Sequence, residues 1–311
     1  MQTPMQIDPA TMTDADLAEV YAMRVAAKLE VAPDEPARSV PDLIARARHS
    51  PEMEHGYEYV IEGGYARLAQ YTGKSHCEVE VVVGPEFRRR GLGTQLLTCL
   101  VAKARELGCT MMTGPFSGER GAAFAARMGA RTDNSWIIST LALPTAVEPA
   151  AVPGYSARSW QGAVPEELLE SFARAANDIN DAPHAVGVEP WRFTPDLVRD
   201  MENALRLRGI QLRTTAVLDA NGEVVGSTDI SVGPEPGAIA RTRNTVVVAA
   251  HRRVGLARWL KAESLVALMA DRPDVQVLVT SNSPTNTGML AVNRAVGFKA
   301  VSTWTNAVLD L

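Results

Sequence analysis

Two stretches of this chain carry the same arrangement of arginine and glycine. The first is Val81-Val82-Val83-Gly84-Pro85-Glu86-Phe87-Arg88-Arg89-Arg90-Gly91-Leu92-Gly93-Thr94. The second is Val246-Val247-Val248-Ala249-Ala250-His251-Arg252-Arg253-Val254-Gly255-Leu256-Ala257. In each, an apolar β-branched run leads through a short break into Arg-x-x-Gly-x-Gly/Ala and then a helical pattern. A helix N-terminus offers N–H groups that no carbonyl takes, and its dipole favours an anion. Glycines let the backbone approach a phosphate, and arginine adds charge. Both loops therefore predict an anion site suited to a pyrophosphate. The dinucleotide fingerprint is absent, because Leu96 stands where its third glycine belongs. The Gly-Lys-Ser/Thr of a nucleotide-triphosphate loop is absent from both copies.

Acid–base candidates lie close by. Glu78 and Glu80 share one face of the strand leading to the first loop, and either could accept a proton from an attacking amine. A solvated strand face is the other reading of the pair. The second strand has Asn244 and Thr245 at comparable places, which leaves Asp229 or the terminal carboxylate of Leu311 as its candidate bases. Asn286 reads as a helix N-cap and Asn293, seven positions on, faces the same way. His251 reads as a loop histidine packed on the helix start. The stretch 177–191 is polar and irregular, and its Asp178, Asp181 and Glu189 would suit a cationic amine, or simply face water.

The elements that must hold these groups recur in the same order. Expected in the first half are a strand at 5–8, a helix over 17–29 opened by Thr13-Asp14-Ala15-Asp16, paired strands at 58–61 and 65–71, and the loop strand at 77–83. A helix over 92–107, a strand at 110–113, a helix over 122–128 and a closing strand at 137–143 follow. The second half is expected to run strand 155–160, helix 165–177, a hairpin through Asn221-Gly222, loop strand 246–249, helix 256–269, strand 275–280, helix 289–295 and closing strand 301–309. Pro144 to Pro153 holds three prolines and reads as the linker. This predicts an α/β (α+β) tandem with a first domain over 1–146, a linker at 147–153 and a second domain over 154–311.

Bulk composition agrees with two ordinary domains. The chain has 311 residues, 46% of them hydrophobic, and a formal net charge of −5. That charge gives no broad attraction to nucleic acid or to an anionic membrane. Three cysteines, Cys77, Cys99 and Cys109, lack metal spacing, so no metal and no disulfide framework are expected, and a reducing, cytoplasmic setting is favoured. No apolar run approaches the roughly 20 residues that span a bilayer.

On its loops the chain resembles the GNAT superfamily of acyl-CoA N-acyltransferases, whose signature is Arg/Gln-x-x-Gly-x-Gly/Ala after a splayed strand. Asn282-Ser283-Pro284-Thr285-Asn286, then Met289 to Asn293 and Gly297-Phe298, are similar to that family's later motif. The two copies cover nearly the whole chain, an arrangement similar to mycothiol synthase-like tandem acetyltransferases. The resemblance implies a mixed, mostly antiparallel, V-shaped sheet in each half. It also implies acetyl-CoA as co-substrate and a small-molecule amine as acceptor, in a monomer or homodimer. The cofactor would be held by Val81, Val82, Val83, Arg88, Arg89, Arg90, Gly91, Leu92, Gly93 and Thr94. In the second half Val246, Val247, Val248, Arg252, Arg253, Val254, Gly255, Leu256, Ala257, Asn282, Asn286 and Met289 would hold it. The family's general-acid tyrosine is replaced by Asn293 in the second half and Ala125 in the first, and Gly129-Ala130 stands where Gly-Phe belongs. The second half, with the fuller later motif, is expected to be catalytic, with Asn293 and Asp229 as its candidates beside Glu80 of the first. A non-catalytic acyl-CoA-binding protein and a mycothiol synthase-like enzyme are the alternative readings.

Overall fold

The computed structural model describes residues 3–182 and 186–311. The chain forms two compact units. The first comprises Met1–Ser135, Ala185–Glu189 and Ser302–Leu311; the second comprises Trp136–His184 and Pro190–Val301.

In the first unit, β1 (Met5–Ile7), β2 (Glu54–Ile61), β3 (Gly64–Tyr71) and β4 (His76–Val83) form an antiparallel series, and β4 runs parallel to β5 (Met111–Phe116). Helices α1 (Asp14–Val31) and α2 (Val40–Arg48) pack on one face through Leu17, Tyr21, Leu43 and Ile44. Helix α3 (Leu92–Glu106) packs on the other through Leu96, Leu97 and Leu100. Thr13 caps α1 by accepting from the Asp16 N–H, as its sequence predicts. Helix α4 (Gly118–Arg127) follows β5. The α2 helix was not expected; Ser39 caps it and Pro41 sits in its first turn.

In the second unit, β7 (Ser156–Gln161), β8 (Gln211–Leu218), β9 (Val224–Val232) and β10 (Ala240–Val247) form the antiparallel series, and β10 runs parallel to β11 (Val277–Asn282). Helices α5 (Glu166–Ala176) and α6 (Pro195–Leu207) cover one face, α7 (Leu256–Asp271) the other, and α8 (Thr287–Ala295) follows β11. The α6 helix, capped by Thr194, also went unread in the sequence.

The closing strands are where expectation and structure part. Strand β6 (Arg131–Ala142) was expected to complete the first half; its residues Ile137 to Ala142 pair antiparallel with β11 in the second unit. Strand β12 (Lys299–Asp310) was expected to close the second half; its residues Thr305 to Asp310 pair with β5 in the first unit. Leu309 and Leu311 accordingly pack on the first unit's core. Each unit takes its last strand from the other sequence repeat. Alternation of apolar residues fixes that a segment is a strand and which face it buries, but not which edge it joins.

A second departure concerns the cysteines. Cys77, at the start of β4, and Cys109, just before β5, form a disulfide, and Cys99 is free. The expectation of no disulfide framework counted cysteines without the parallel β4–β5 pairing, which brings residues 32 apart side by side.

Candidate functional site

Both predicted loops form, and they form alike. After β4 a single 3-10 turn, Pro85–Phe87, leads to Arg89 and Gly91 at φ of +61° and +82° before α3 begins. After β10 the turn Ala249–His251 leads to Arg253 and Gly255 at +70° and +102° before α7. The left-handed conformation at Gly91 and Gly255 is what the signature glycine supplies. Among the described residues, no hydrogen bond engages the backbone N–H groups of 89–94 or of 253–257. Each loop thus presents a row of donors at a helix N-terminus, a cradle of the kind that takes phosphate.

The leading arginines have partners within their own units. Arg88 donates Nε to the Val83 carbonyl at 3.0 Å and grips Glu30 with both Nη atoms at 2.8 and 2.6 Å. Hydrogen bonds from Arg88 hold the Glu30 carboxyl down at about 2. Arg252 donates Nε to the Val247 carbonyl at 2.7 Å and pairs with Asp181 at 2.7 Å and Asp178 at 3.2 Å. Both guanidinium groups brace the end of the strand. Asp178 and Asp181 are consequently engaged by Arg252. Glu189, in the first unit, accepts from the Ser75 N–H at 2.9 Å and meets His76 Nδ1 at 2.6 Å. Burial opposes its charge, yet these bonds hold its carboxyl at about 2. Asp178, Asp181 and Glu189 are therefore engaged within the fold.

Beside each loop the sheet opens. β4 pairs with β5 only through His76, Cys77 and Glu78, and β10 with β11 only through Ala240 and Arg241. Val81–Val83 and Val246–Val247 therefore keep a ladder on one side alone, with β3 and β9 respectively. Gly114 sits where β4 and β5 last touch, since a Cβ there would lie 2.9 Å from the Val79 carbonyl oxygen. The open edge of each loop strand offers backbone groups to a ligand's amides.

The two units differ in what lies across the sheet. In the second, β10 carries a bulge in which Arg243 and Asn244 oppose the single residue Asp229 on β9. Alternate positions then line one cleft: Leu212 and Thr214 on β8, Ser227 and Asp229 on β9, with Val246 on β10. Phe172, Phe193, Val198 and Leu205 form an apolar roof, and the cleft measures about 560 Å³ including its open mouth. Asp229 is 8% exposed, and among the described residues neither its Oδ1 nor Thr214 Oγ1 has a hydrogen-bond partner. Burial pushes its carboxyl up to about 6. The sequence pointed to Asp229; Arg243 and Thr214 were missed, and the only signal for them was a strand pattern one residue out of step.

The other candidates are placed as follows. Asn286 caps α8, accepting from the Met289 N–H at 3.1 Å. Asn293 is 2% exposed and donates Nδ2 to Asn282 Oδ1, leaving its own Oδ1 without a partner among the described residues. Leu256 is core, Val254 is exposed, and His251 meets the Tyr155 hydroxyl at 2.9 Å. In the first unit Glu80 is held by both Nε and Nη2 of Arg24, and the Leu311 carboxylate lies with that unit's strands. Among the described residues no group of three His, Cys, Asp or Glu is gathered as a metal site, and no helix is long and apolar enough to cross a membrane.

A loop of free backbone donors beside strands that part thus occurs once in each unit. Residues 18–130 match the model of the Acetyltransferase (GNAT) family. The whole chain superposes on a tandem GNAT protein from the clavulanic acid biosynthesis pathway with a TM-score of 0.81, at 26% identity, covering 99% of this chain and 97% of that one. It superposes on a GCN5-related N-acetyltransferase from Sphaerobacter thermophilus with a TM-score of 0.74, at 16% identity, covering 99% and 95%. No curated protein matches the sequence. Residues 18–130 thus match the GNAT acetyltransferase model, and the chain as a whole shares the fold of a tandem GNAT protein.

Proposed function

We propose that this protein is an acetyl-CoA-dependent N-acetyltransferase whose second unit acetylates a primary amine carried on a largely apolar body. The observation that carries the reading is Asp229, buried, lacking a partner at Oδ1, and set opposite the bulge of the strand that runs into the Gly255 loop. The backbone donors of 253–257 would hold the pyrophosphate, and the open edge of β10 around Val246 to Val248 would take the pantetheine amides. The amine nitrogen attacks the thioester carbonyl and its C–N bond forms as the C–S bond breaks. Asp229 takes the proton that the nitrogen sheds, directly or through one water, and CoA leaves as the thiolate. A carboxyl whose ordinary value is raised to about 6 by burial holds a proton more readily than a solvated one, which favours that step near neutrality. No phenol stands at the family's acid position, so the thiolate takes its proton from solvent.

The test is acetyl transfer from acetyl-CoA over a panel of aryl- and alkylamines. We expect Asp229→Asn to lower kcat by about 10²- to 10⁴-fold while acetyl-CoA affinity is kept. Gly255→Glu should abolish turnover and Gly93→Glu should spare it. Loss of turnover in Gly93→Glu alone would reassign catalysis to the first unit. Cofactor binding without cleavage across the panel would replace the proposal by a non-catalytic acyl-CoA-binding protein.

A further inference from the structure

The first unit has a cavity of another kind. Its walls are the side chains of Arg24, Arg38, Arg46, Arg67, Glu58 and Glu80, closed by Leu43 and Ala47 of α2. The charged groups come from α1, α2 and the segment before it, and from β2, β3 and β4. Glu80 on β4 lies past the last β4–β5 pair, three residues before the strand ends at the first loop.

These groups are fixed from behind. Arg24 lies over the rings of Tyr21 and Tyr65, 5.0 and 4.6 Å from their centroids, and its Nε and Nη2 reach the Glu80 carboxylate. The Tyr21 hydroxyl donates to Glu58 at 2.8 Å. Arg67 pairs with Glu54 and lies 3.7 Å from Glu58. Arg38 donates to Asp42 at 2.8 Å. Arg24, Arg67 and Glu58 are the buried back of the network, with side chains 14%, 15% and 4% exposed, while Glu80 and Arg38, 38% and 34% exposed, stand at its open side.

Buried ion pairs recover little of what their desolvation costs, and an apolar core would serve stability as well. Here both signs are kept, aligned by aromatic and hydroxyl contacts, around open space. That is how a binding site is preorganised. The network counts four arginines against Glu58, Glu80, Glu54 and Asp42, so it is close to neutral overall while showing both signs to the cavity. A simple anion would leave the carboxylates facing a like charge, and a simple cation would face the guanidiniums.

We propose that this chamber binds a small zwitterion, an α-amino acid or a molecule carrying the same ammonium–carboxylate pair. The ammonium pairs with Glu80 and Glu58, and the carboxylate with Arg38 and Arg46 at the α2 side. The site belongs to the first unit and does not depend on the catalytic assignment of the second.

The experiment is thermal-shift screening of the intact protein against the free α-amino acids, followed by calorimetry of those that stabilise it. Acetate and methylamine serve as half-ligands. One or more amino acids should raise the melting temperature while neither half-ligand does at equal concentration. Arg38→Gln and Glu80→Gln should each weaken binding by about ten-fold or more. Arg38 is the variant that guards against misfolding, since its side chain is 34% exposed. Asp229→Asn should leave this binding unchanged, which separates it from the acetyl-transfer reading. No stabilisation by any amino acid at millimolar concentration would overturn the proposal. So would acetate binding as tightly as the zwitterions, or binding indifferent to both variants.

Discussion

Asp229 is a carboxylate in the wrong place for stability and a useful place for proton transfer. Its carboxyl is raised by burial from 3.8 to about 6. The charged groups that face it are Arg243 across the bulge, which favours ionisation, and Glu202 of α6, which opposes it. Because the folded value exceeds the unfolded one, its contribution to stability is complete below about pH 4. It is lost as pH rises through 6. A rise of that size is worth at most about 3 kcal/mol at neutral pH. Asp229→Asn is therefore expected to stabilise the protein at pH 8 by about 1–2 kcal/mol, and by nothing measurable near pH 4. Turnover of the native protein should meanwhile fall as pH drops below 6, a limb the variant lacks. Thermal melts at both pH values check the first expectation; a melting point lowered by Asp229→Asn at pH 8 would mean that the carboxylate is satisfied and is no base. The candidacy of this residue was legible in the sequence, where it is the one charged residue of the strand Val224–Val232. Its unpartnered Oδ1 was not, because that depends on the register that sets Thr214 beside it and on the bulge that turns Arg243 and Asn244 together.

The loops were the most legible elements, since glycine at a left-handed turn and a helix start leave marks in the sequence itself. The role of the arginine that opens each was not legible, because its partners come from far along the chain: Glu30 for Arg88, Asp178 and Asp181 for Arg252. A guanidinium that binds a strand carbonyl and carboxylates at once uses its planar fork, which lysine cannot copy. Arg252→Lys and Arg252→Met are therefore expected to weaken acetyl-CoA binding to the second unit equally, by about ten-fold, through a looser loop. Calorimetric titration of both variants checks this. If lysine restores affinity, a point charge near the pyrophosphate is what matters and the bracing role fails. The same dependence on distant partners hid the first unit's chamber, whose arginines read in sequence as ordinary helix and strand polar positions.

At the scale of the whole molecule, the repeats are visible in sequence but the units are not simple copies of them. Residues 302–311 complete the first unit: Thr305 to Asp310 pair with β5, Trp304 donates to Glu35 at 2.7 Å, and Leu309 and Leu311 join its core. Removing them would bare the β5 edge and strip Glu35, 4% exposed, of the Ser302 and Trp304 donors that share it with Lys28. An unpaired edge and an uncovered core favour opening and association. A chain ending at Val301 is thus expected to lose order in the first unit, although the sequence removed lies at the far end of the second repeat. Hydrogen exchange resolves this by segment: the amides of β5 should lose protection while those of β8 and β9 keep theirs. Residues 1–146 expressed alone should show the same loss at β5, and a peptide of residues 302–311 added in excess should restore protection there. Protection of β5 that survives both truncations would mean that each repeat closes its own sheet, as the sequence pattern by itself suggested.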